Sequence, residues 1–253
     1  MKKISLLLLL SGLLFVSCER DSDKITVGYP INENYTSLDV SHAFEVVVCD
    51  TVTEAKVTVR GGEHKNVVFK VEDGTLKIGF KSSLFNWHHG SGKVLLPRNS
   101  ALCDVELSGA SSFRGNLQGD KVDLEVSGAS DFYGNLLASE VNMDLSGASS
   151  FKGDINADEI DMEISGSSKV SSSGICTEQF DMEISGSSNL DAFGLECRKV
   201  SGKLSGSSDV RISCCESLTV TVSGSSDLYY KAPHGCYPVV NCSTSGGSEV
   251  HAE

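Results

Sequence analysis

The chain has 253 residues and a formal net charge of −13, with 34 acidic against 21 basic side chains. The charge is uneven, because residues 1–98 hold 12 Lys and Arg against 11 Asp and Glu, whereas residues 99–253 hold 9 against 23. This acidic balance argues against nucleic acid as a partner and against a direct electrostatic hold on anionic lipid, since both depend on Lys and Arg meeting phosphates.

The N-terminus predicts export. A basic start, Met1-Lys2-Lys3, precedes an apolar run from Ile4 to Val16 that is too short to remain as a membrane span. The run ends in Leu14-Phe15-Val16-Ser17-Cys18, which resembles a bacterial lipobox, whose cysteine is lipidated and becomes the new N-terminus. We predict a signal peptide over residues 1–17 and a lipoprotein of the outer membrane anchored through Cys18, facing either the cell exterior or the periplasm. An ordinary cleaved signal is the alternative.

A tether at residues 18–24 leads into an N-terminal region, residues 25–98, that is predicted to be β. Its apolar clusters alternate with polar residues between Gly and Asp punctuation, at Phe44–Cys49, Ala55–Val59, Val67–Val71 and Thr75–Phe80. They are either irregular early rungs of a solenoid or a cap over its first rung. The segment 81–92 is predicted to be a loop, and its His88-His89 pair alone does not make a metal site.

A pentapeptide is repeated eight times between Leu107 and Ser248, an aliphatic residue (Thr in the last copy) followed by Ser-Gly-small-Ser. Its glycines are spaced by 19, 19, 19, 20, 20, 18 and 22 residues; they are Gly109, Gly128, Gly147, Gly166, Gly186, Gly206, Gly224 and Gly246. A nearly fixed period of this size is typical of a solenoid. Each glycine is expected at a sharp turn between two strands, where φ needs to be positive.

Apolar residues recur at fixed distances from each glycine. Those six, four and two positions before it alternate with polar residues, which is the period of a strand with one buried face. A second strand follows, with an apolar residue four positions after the glycine: Phe113, Phe132, Phe151, Val170, Leu190, Val210, Leu228 and Val250. We predict an all-β fold, a single-stranded parallel β-helix with about eight regular rungs over residues 99–253. A right-handed coil is favoured because the left-handed pattern, an aliphatic at every sixth residue, is missing.

Several segments together resemble a known family. They are Asp39-Val-Ser-His-Ala-Phe44, Glu72-Asp-Gly-Thr-Leu-Lys-Ile78, Leu96-Pro97 and the stacked Ser-Gly-small-Ser motifs. The combination resembles the putative auto-transporter adhesin, head GIN domain family, over nearly all of the chain after the signal. The resemblance implies a pectin-lyase-like right-handed β-helix that lacks the catalytic residues of that superfamily, and a role in adhesion. It carries over no catalytic or cofactor-binding residue.

Eight cysteines follow Cys18, in a chain predicted to reach a compartment that permits disulfides. Cys214 and Cys236 both lie ten residues before a glycine, and Cys197 and Cys215 both lie nine residues before one. Residues in register on adjacent rungs are about 4.8 Å apart, within the range of about 4.4–6.8 Å that a disulfide tolerates. We predict Cys214–Cys236 as the disulfide. For Cys197–Cys215, plain packing of a small apolar residue is the favoured alternative.

Two outward columns of the first strand are acidic. They hold Asp104, Asp123, Asn142, Asp161 and Asp181 five positions before the glycine, and Glu106, Glu125, Asp144, Glu163 and Glu183 three positions before it. Neighbouring charges repel, so something must offset the cost. One reading is Ca²⁺ bridging rungs through Asp104, Glu106, Asp123, Glu125, Asp161, Glu163, Asp181 and Glu183. The others are a cationic partner, or simply a solvated surface that discourages aggregation.

Paired carboxylates also suit a glycosidase, but catalytic acids differ in environment, and here they repeat without distinguishing neighbours. No serine lies in a Gly-x-Ser-x-Gly motif. We therefore expect no enzyme, no cofactor and no resident metal. The leading hypothesis is a binding or adhesive module that engages a glycan or protein at the cell surface. A self-assembling envelope scaffold is the second hypothesis, and a carbohydrate-active enzyme is the third.

Overall fold

The computed structural model describes residues 23–81 and 90–253, which form an all-β fold with a short 3-10 turn at His64–Asn66. The predicted signal peptide, Cys18 and the His88-His89 pair lie outside the described residues. The strands all belong to one continuous sheet. They are β1 Lys24–Tyr29, β2 Ser37–Val40, β3 Phe44–Cys49, β4 Ala55–Arg60, β5 Val67–Glu72, β6 Thr75–Phe80, β7 Gly92–Pro97, β8 Asp104–Leu107, β9 Ser112–Arg114, β10 Leu117–Gln118, β11 Lys121–Val126, β12 Asp131–Tyr133, β13 Leu136–Leu137, β14 Glu140–Leu145, β15 Ser150–Ile164, β16 Lys169–Ile184, β17 Asn189–Leu204, β18 Asp209–Val222, β19 Asp227–Lys231, β20 Val239–Thr244 and β21 Glu249–Ala252.

The repeats coil into a β-solenoid of about seven turns. In each turn, the residues before the glycine corner lie on one face and the residues after it lie on a second face. Every pairing between successive turns from β8 onward is parallel, and equivalent repeat positions are partners, as Leu107, Val126 and Leu145 show. From β15 to β18 each strand runs from one corner to the next without a break. The predicted parallel β-helix and its residue columns are confirmed.

The eight glycine corners are confirmed as well, because all eight glycines have φ between 73° and 86°. Stacking adds a second reason for glycine at these corners. A Cβ on Gly147 would lie 2.5 Å from the carbonyl oxygen of Gly128 on the preceding turn. Both the backbone conformation and the close approach of adjacent turns therefore exclude a larger residue.

The last serine of each pentapeptide stabilises the same corner from inside. Ser149 is buried, and its Oγ lies 2.9 Å from the carbonyl oxygen of Ser146 and 3.0 Å from that of Val126. Ser168, Ser188 and Ser208 donate in the same way to the carbonyl three residues earlier. A buried hydroxyl needs a partner, and here each one closes a turn. These serines are structural.

The core is a set of stacked columns. Phe113, Phe132 and Phe151 are fully buried, with ring centroids 5.2 and 5.5 Å apart in a nearly parallel stack. Met143 and Met162 form a neighbouring column on the other face. Burial of one such side chain stabilises the fold by about 1.5–3 kcal/mol, so the solenoid is stabilised turn by turn, each turn packing on its neighbours.

The N-terminal region supplies both an early rung and a cap, the two alternatives left open by the sequence. Strands β2 and β3 stack in parallel directly on β8 and β9, and His42 with φ of 73° occupies the place of the corner glycine. The segment Val40-Ser41-His42-Ala43 is therefore a ninth copy of the corner, with His for Gly. The amide of Ala110 donates a hydrogen bond to the carbonyl oxygen of His42 at 2.6 Å.

A further rung, β6 and β7, pairs in parallel with the outer side of β2 and β3. Antiparallel strands then cover it, β5 on β6, β4 on β7 and β1 on β4. The β5–β6 hairpin turns at Asp73-Gly74, both with positive φ, the turn that such hairpins favour. The change from parallel to antiparallel pairing ends the solenoid, since a solenoid edge left open is a template for aggregation.

The opposite end carries no such cap among the described residues. The last rung consists of β20 and β21, and its side chains are largely exposed, including Val239 at 63% and Val240 at 37%. Tyr237, just before β20, is 90% exposed. No helix within the described ranges is long and apolar enough to cross a membrane.

The predicted Cys214–Cys236 disulfide is wrong, whereas Cys197 is a buried free thiol, as the favoured packing alternative expected. Cys215 bonds to Cys236, with Cα atoms 4.8 Å apart, while Cys214 and Cys197 are free thiols. Counting back from the glycines gave the wrong partner for Cys236, because the register between β17 and β18 shifts. Three residues after Ala192 have no partner in β18, and β18 holds one extra residue after Cys214. Cys214 therefore lies beside Cys197 in the core, and Cys215 faces outward toward Cys236.

Candidate functional site

Two surfaces of the solenoid could bind a partner, and the first is the acidic face. Its two predicted columns exist, because each acid pairs in register with the equivalent acid one turn away, as Glu106, Glu125 and Asp144 do. The column continues into the N-terminal rung, where Asp39 pairs with Glu106. The sequence reading missed Asp39, because the repeat is hard to recognise there without its glycine.

Basic and amide side chains reduce the repulsion along this face. The column of Glu106 begins at Lys77, which pairs with Asp39, and ends at Lys203, which pairs with Glu183. Within the face, Asn142 donates to Asp123 at 3.0 Å. Lys121, at the edge, has its ammonium 2.9 Å from a carboxylate oxygen of Glu140 and 3.5 Å from one of Asp123. The acidic face is thus bounded and partly neutralised by the chain itself.

Some repulsion remains at the N-terminal end of the face. Burial raises the pKa of Glu106, and the neighbouring carboxylates of Asp39, Glu125 and Asp104 raise it further. Two grooves, of about 490 and 570 Å³, run along the face and share Asp144 and Glu163. Within the described part of the chain, no three His, Cys, Asp or Glu side chains converge closely enough to hold a metal ion. The eight cation candidates are therefore aligned in rows, and they do not surround a common point.

The second surface is the outer side of the strands that follow each corner, and here the regular rung shape is broken. Asp191 pairs with Ser171 and Gly194 with Ser173, so Ala192-Phe193 lies opposite the single residue Ser172. On the other side, Phe193 to Leu195 have no partners in β18. The extra residues form a β-bulge. Leu195 is fully buried, and Phe193 is left half-buried on the outer surface.

A groove of about 400 Å³ lies beside this bulge. Its lining combines one aromatic ring with hydroxyls and charges of both signs: Lys152, Asp154, Ser171, Ser173, Asp191 and Phe193. Ser173 donates to Asp154 across adjacent turns, which orients the carboxylate. We call this surface, from Lys152 to Phe193, the bulge groove.

Aromatic and cationic side chains extend the bulge groove toward the C-terminal end. The Arg211 guanidinium lies 6.0 Å from the centre of the Phe193 ring and 5.6 Å from that of Tyr229. The Lys231 ammonium lies 5.1 Å from the Phe193 ring. The Tyr229 ring stacks on His251 at 4.8 Å. These contacts fix the rings in place, with cations on their faces.

The sequence reading did not single out Phe193, although a signal was present. Seven residues after the corner glycine, the earlier repeats carry polar residues, Asn116, Asn135, Asp154 and Ser173, and the fifth repeat carries Phe193. An aromatic residue in a polar outward column, within a repeat of 20 residues instead of 19, marks a bulge. The core columns alone did not reveal it, because they realign after the bulge.

The family model described as "Putative auto-transporter adhesin, head GIN domain" matches residues 34–233. The chain belongs to this family. The expected family resemblance is therefore confirmed, and an adhesin-like family indicates a protein of the cell envelope or surface. No curated protein matches the chain in sequence.

Solved structures share the fold of this family member. A putative adhesin from Parabacteroides distasonis ATCC 8503 has a TM-score of 0.76 and 21% identity, over 92% of this chain and 98% of that one. A putative lipid binding protein from the same organism has a TM-score of 0.69 and 21% identity, over 92% and 98%. A putative adhesin from Parabacteroides merdae ATCC 43184 has a TM-score of 0.69 and 19% identity, over 92% of this chain and 97% of that one. At these identities the likeness shows the fold alone. None of the descriptions names an enzyme activity.

Proposed function

We propose that this family member is a non-enzymatic, lipid-anchored envelope protein that binds a glycan at the cell surface through the bulge groove. The solenoid serves as a rigid support, since each turn is fixed by parallel pairing to the next. Family membership supports a binding role, and the groove supplies the ligand class.

The observation that carries this proposal is the half-buried ring of Phe193 on the outer surface, beside polar side chains. A sugar ring presents an apolar C–H face that packs on an aromatic side chain, and hydroxyls that need hydrogen-bond partners. Ser171, Asp154 and Asp191 offer such partners next to the ring. The acidic face, by contrast, has no aromatic side chain in its grooves.

A glycan array probed with the purified protein tests the proposal. We expect binding to at least one class of oligosaccharide, and Phe193→Ala should weaken it about tenfold or more, which corresponds to about 1.4 kcal/mol. Tyr237→Ala is the matched control, because Tyr237 is 90% exposed and does not line the groove. An equal loss of glycan affinity in both variants, or an affinity that Phe193→Ala leaves unchanged, would refute the role of the groove.

Anchoring and orientation need separate experiments. Mass spectrometry of the membrane-extracted protein should find a lipidated N-terminal cysteine at Cys18, and Cys18→Ala should release the protein from membranes. Protease treatment of intact cells should cleave a surface-exposed protein. Protection in intact cells, with cleavage after lysis, would place the protein in the periplasm instead.

A second candidate function, self-assembly as an envelope scaffold, is favoured by the exposed last rung. The partner would be a second copy of the chain, because the strand edge and the apolar column that end at β20 continue the pattern of the chain's own turns. Light scattering over a range of concentrations tests it. Association that Val240→Lys abolishes would support a scaffold, and a monomer at every concentration would exclude one.

A further inference from the structure

Three free cysteines form a column in the core of the solenoid. Cys176 pairs in register with Cys197, and Cys197 pairs in register with Cys214. All three are buried, at 1%, 2% and 0% exposure. We propose that Cys176 and Cys197 form a second disulfide in the oxidised protein, leaving Cys214 as a buried thiol. This inference does not depend on the proposed glycan function.

The solenoid itself shows that its rung spacing accommodates a disulfide. Cys215 and Cys236, which join one turn to the next, have Cα atoms 4.8 Å apart. In-register partners on adjacent parallel strands have about the same separation, within the range for disulfides of about 4.4–6.8 Å. Cys176 and Cys197 are such partners, and both point inward into one column.

Cys197 has two neighbours, and the contacts favour Cys176. Cys176 has the larger effect on Cys197, because its thiol is the first cause of the raised pKa of Cys197 and Cys214 acts on that pKa less strongly. Cys176–Cys197 is the last of four consecutive in-register pairs, which begin with Ser173 and Gly194. Only two such pairs lie between the irregularities that flank Cys197 with Cys214. The geometry on the Cys176 side is therefore the more regular.

The bond forms by thiol–disulfide exchange before the turns close, so the attacking group is the thiolate of an accessible cysteine. The balance is the same whichever cysteine attacks first, for example Cys176. Its sulfur bonds to one sulfur of a disulfide oxidant, and the other oxidant sulfur leaves as a thiolate.

The thiolate of Cys197 then attacks the Cys176 side of this mixed disulfide. The second oxidant sulfur leaves, the two cysteine thiols have lost two protons and two electrons, and the oxidant has become two thiols. The oxidant, a small-molecule disulfide or a protein disulfide of the exporting compartment, must act before the turns close, because the folded core buries both sulfurs. The new bond would fasten β17 to β16 four residues after Phe193.

Peptide mapping of the whole protein tests the proposal. The protein is unfolded, reduced and refolded with mixed oxidised and reduced glutathione until Cys215–Cys236 has closed. It is then unfolded and alkylated without reduction. Trypsin releases Cys176 and Cys197 in one peptide, residues 170–198, and Cys214 in another, residues 212–231. We expect the first peptide to be unalkylated and lighter by two hydrogen atoms, and Cys214 to be alkylated.

Each alternative outcome overturns the proposal. Alkylation of both Cys176 and Cys197 would show that the column stays reduced. A cross-link between peptides 170–198 and 212–231 that involves Cys197 and Cys214 would show that the other neighbour is the partner. Cys214→Ser should leave the Cys176–Cys197 bond intact, and Cys176→Ser should leave Cys197 without its predicted partner. The peptide map of the wild-type protein decides whether the Cys176–Cys197 bond forms. A variant that fails to fold therefore leaves that test intact.

Discussion

The turns up to Ile164 have a spacing of 19 residues, and the later turns have spacings of 20, 18 and 22. Both sets share the same corner, but they differ in how their side chains stack. In the first set, identical residues stack on each other: the Phe113, Phe132 and Phe151 rings, the corner serines, and the side chain of Asn116, which accepts from the amide of Asn135. In the second set, the bulge at Phe193, the disulfide and the thiol column all occur.

The difference shows where such a fold can accommodate a binding site. In a regular turn, backbone groups pair with adjacent turns and inward side chains fill the core, so little remains to recognise a ligand. An inserted residue cannot join the ladder and must leave the sheet. Phe193 is displaced outward in this way, and the core recovers its register within a few residues.

The largest expected contrast is between two phenylalanines. Phe132→Ala, in the middle of the stack, should destabilise the protein by about 3–5 kcal/mol because it leaves a cavity between two rings. Phe193→Ala should lower the free energy of unfolding far less, since that ring lies half-buried on the outer surface and is not part of the core. Denaturant unfolding of both variants measures the contrast. A similar loss in both would mean that the bulge is part of the core.

Removal of the Cys215–Cys236 bond should have the next largest effect. The bond spans 21 residues, and a loop of about that length corresponds to about 3 kcal/mol. Cys215→Ser should lower the free energy of unfolding by this amount. A reductant should destabilise the variant further, because the proposed Cys176–Cys197 bond is still present in it. A variant that a reductant leaves unchanged would contradict that second bond.

The corner of the regular turns can be tested with Gly147→Ala. Positive φ and the nearby Gly128 carbonyl should together cost about 2–3 kcal/mol. Gly62→Ala is the matched control, because a Cβ there has no neighbour within 4 Å and its φ is not in the left-handed region. Thermal melting of the two variants should differ clearly, and equal melting temperatures would contradict the close stacking of the corners.

The smallest effect concerns charge on the acidic face. The pKa of Glu106 is raised by burial and by neighbouring carboxylates, so the folded state binds its proton more tightly than the unfolded state does. Its contribution to stability is therefore full below the ordinary value of 4.5 and is lost as the pH rises through the raised pKa.

Glu106→Gln should consequently raise the melting temperature at pH 7. The gain in free energy of unfolding should be below about 1 kcal/mol, because the side chain is largely exposed. The gain should shrink with added salt and vanish under acid conditions. A variant that is less stable than wild type at pH 7 would show that the Glu106 carboxylate has a favourable partner.

Much of this architecture could be predicted from the repeat. Fixed spacing to the glycine identified the columns of Leu107, Phe113 and Glu106, because parallel stacking puts equal positions side by side. The sequence left open whether the segment Val40-Ser41-His42 belongs to an early rung or to a cap, since His42 replaces the residue by which the repeat is recognised. Its position beside β8 also depends on a chain path that returns from Leu96 to the far side of β2 and β3.

The sequence by itself determined the β-helix, its corners, its core and its acidic face, because each of these repeats with the turn and needs only local periodicity. Tertiary structure alone decided the cysteine partners and the bulge groove. Both depend on where unpaired residues are absorbed between adjacent strands, and a shift of one residue exchanges Cys214 for Cys215 between core and surface. Counting along the chain cannot locate that shift, whereas backbone pairing across the turns does.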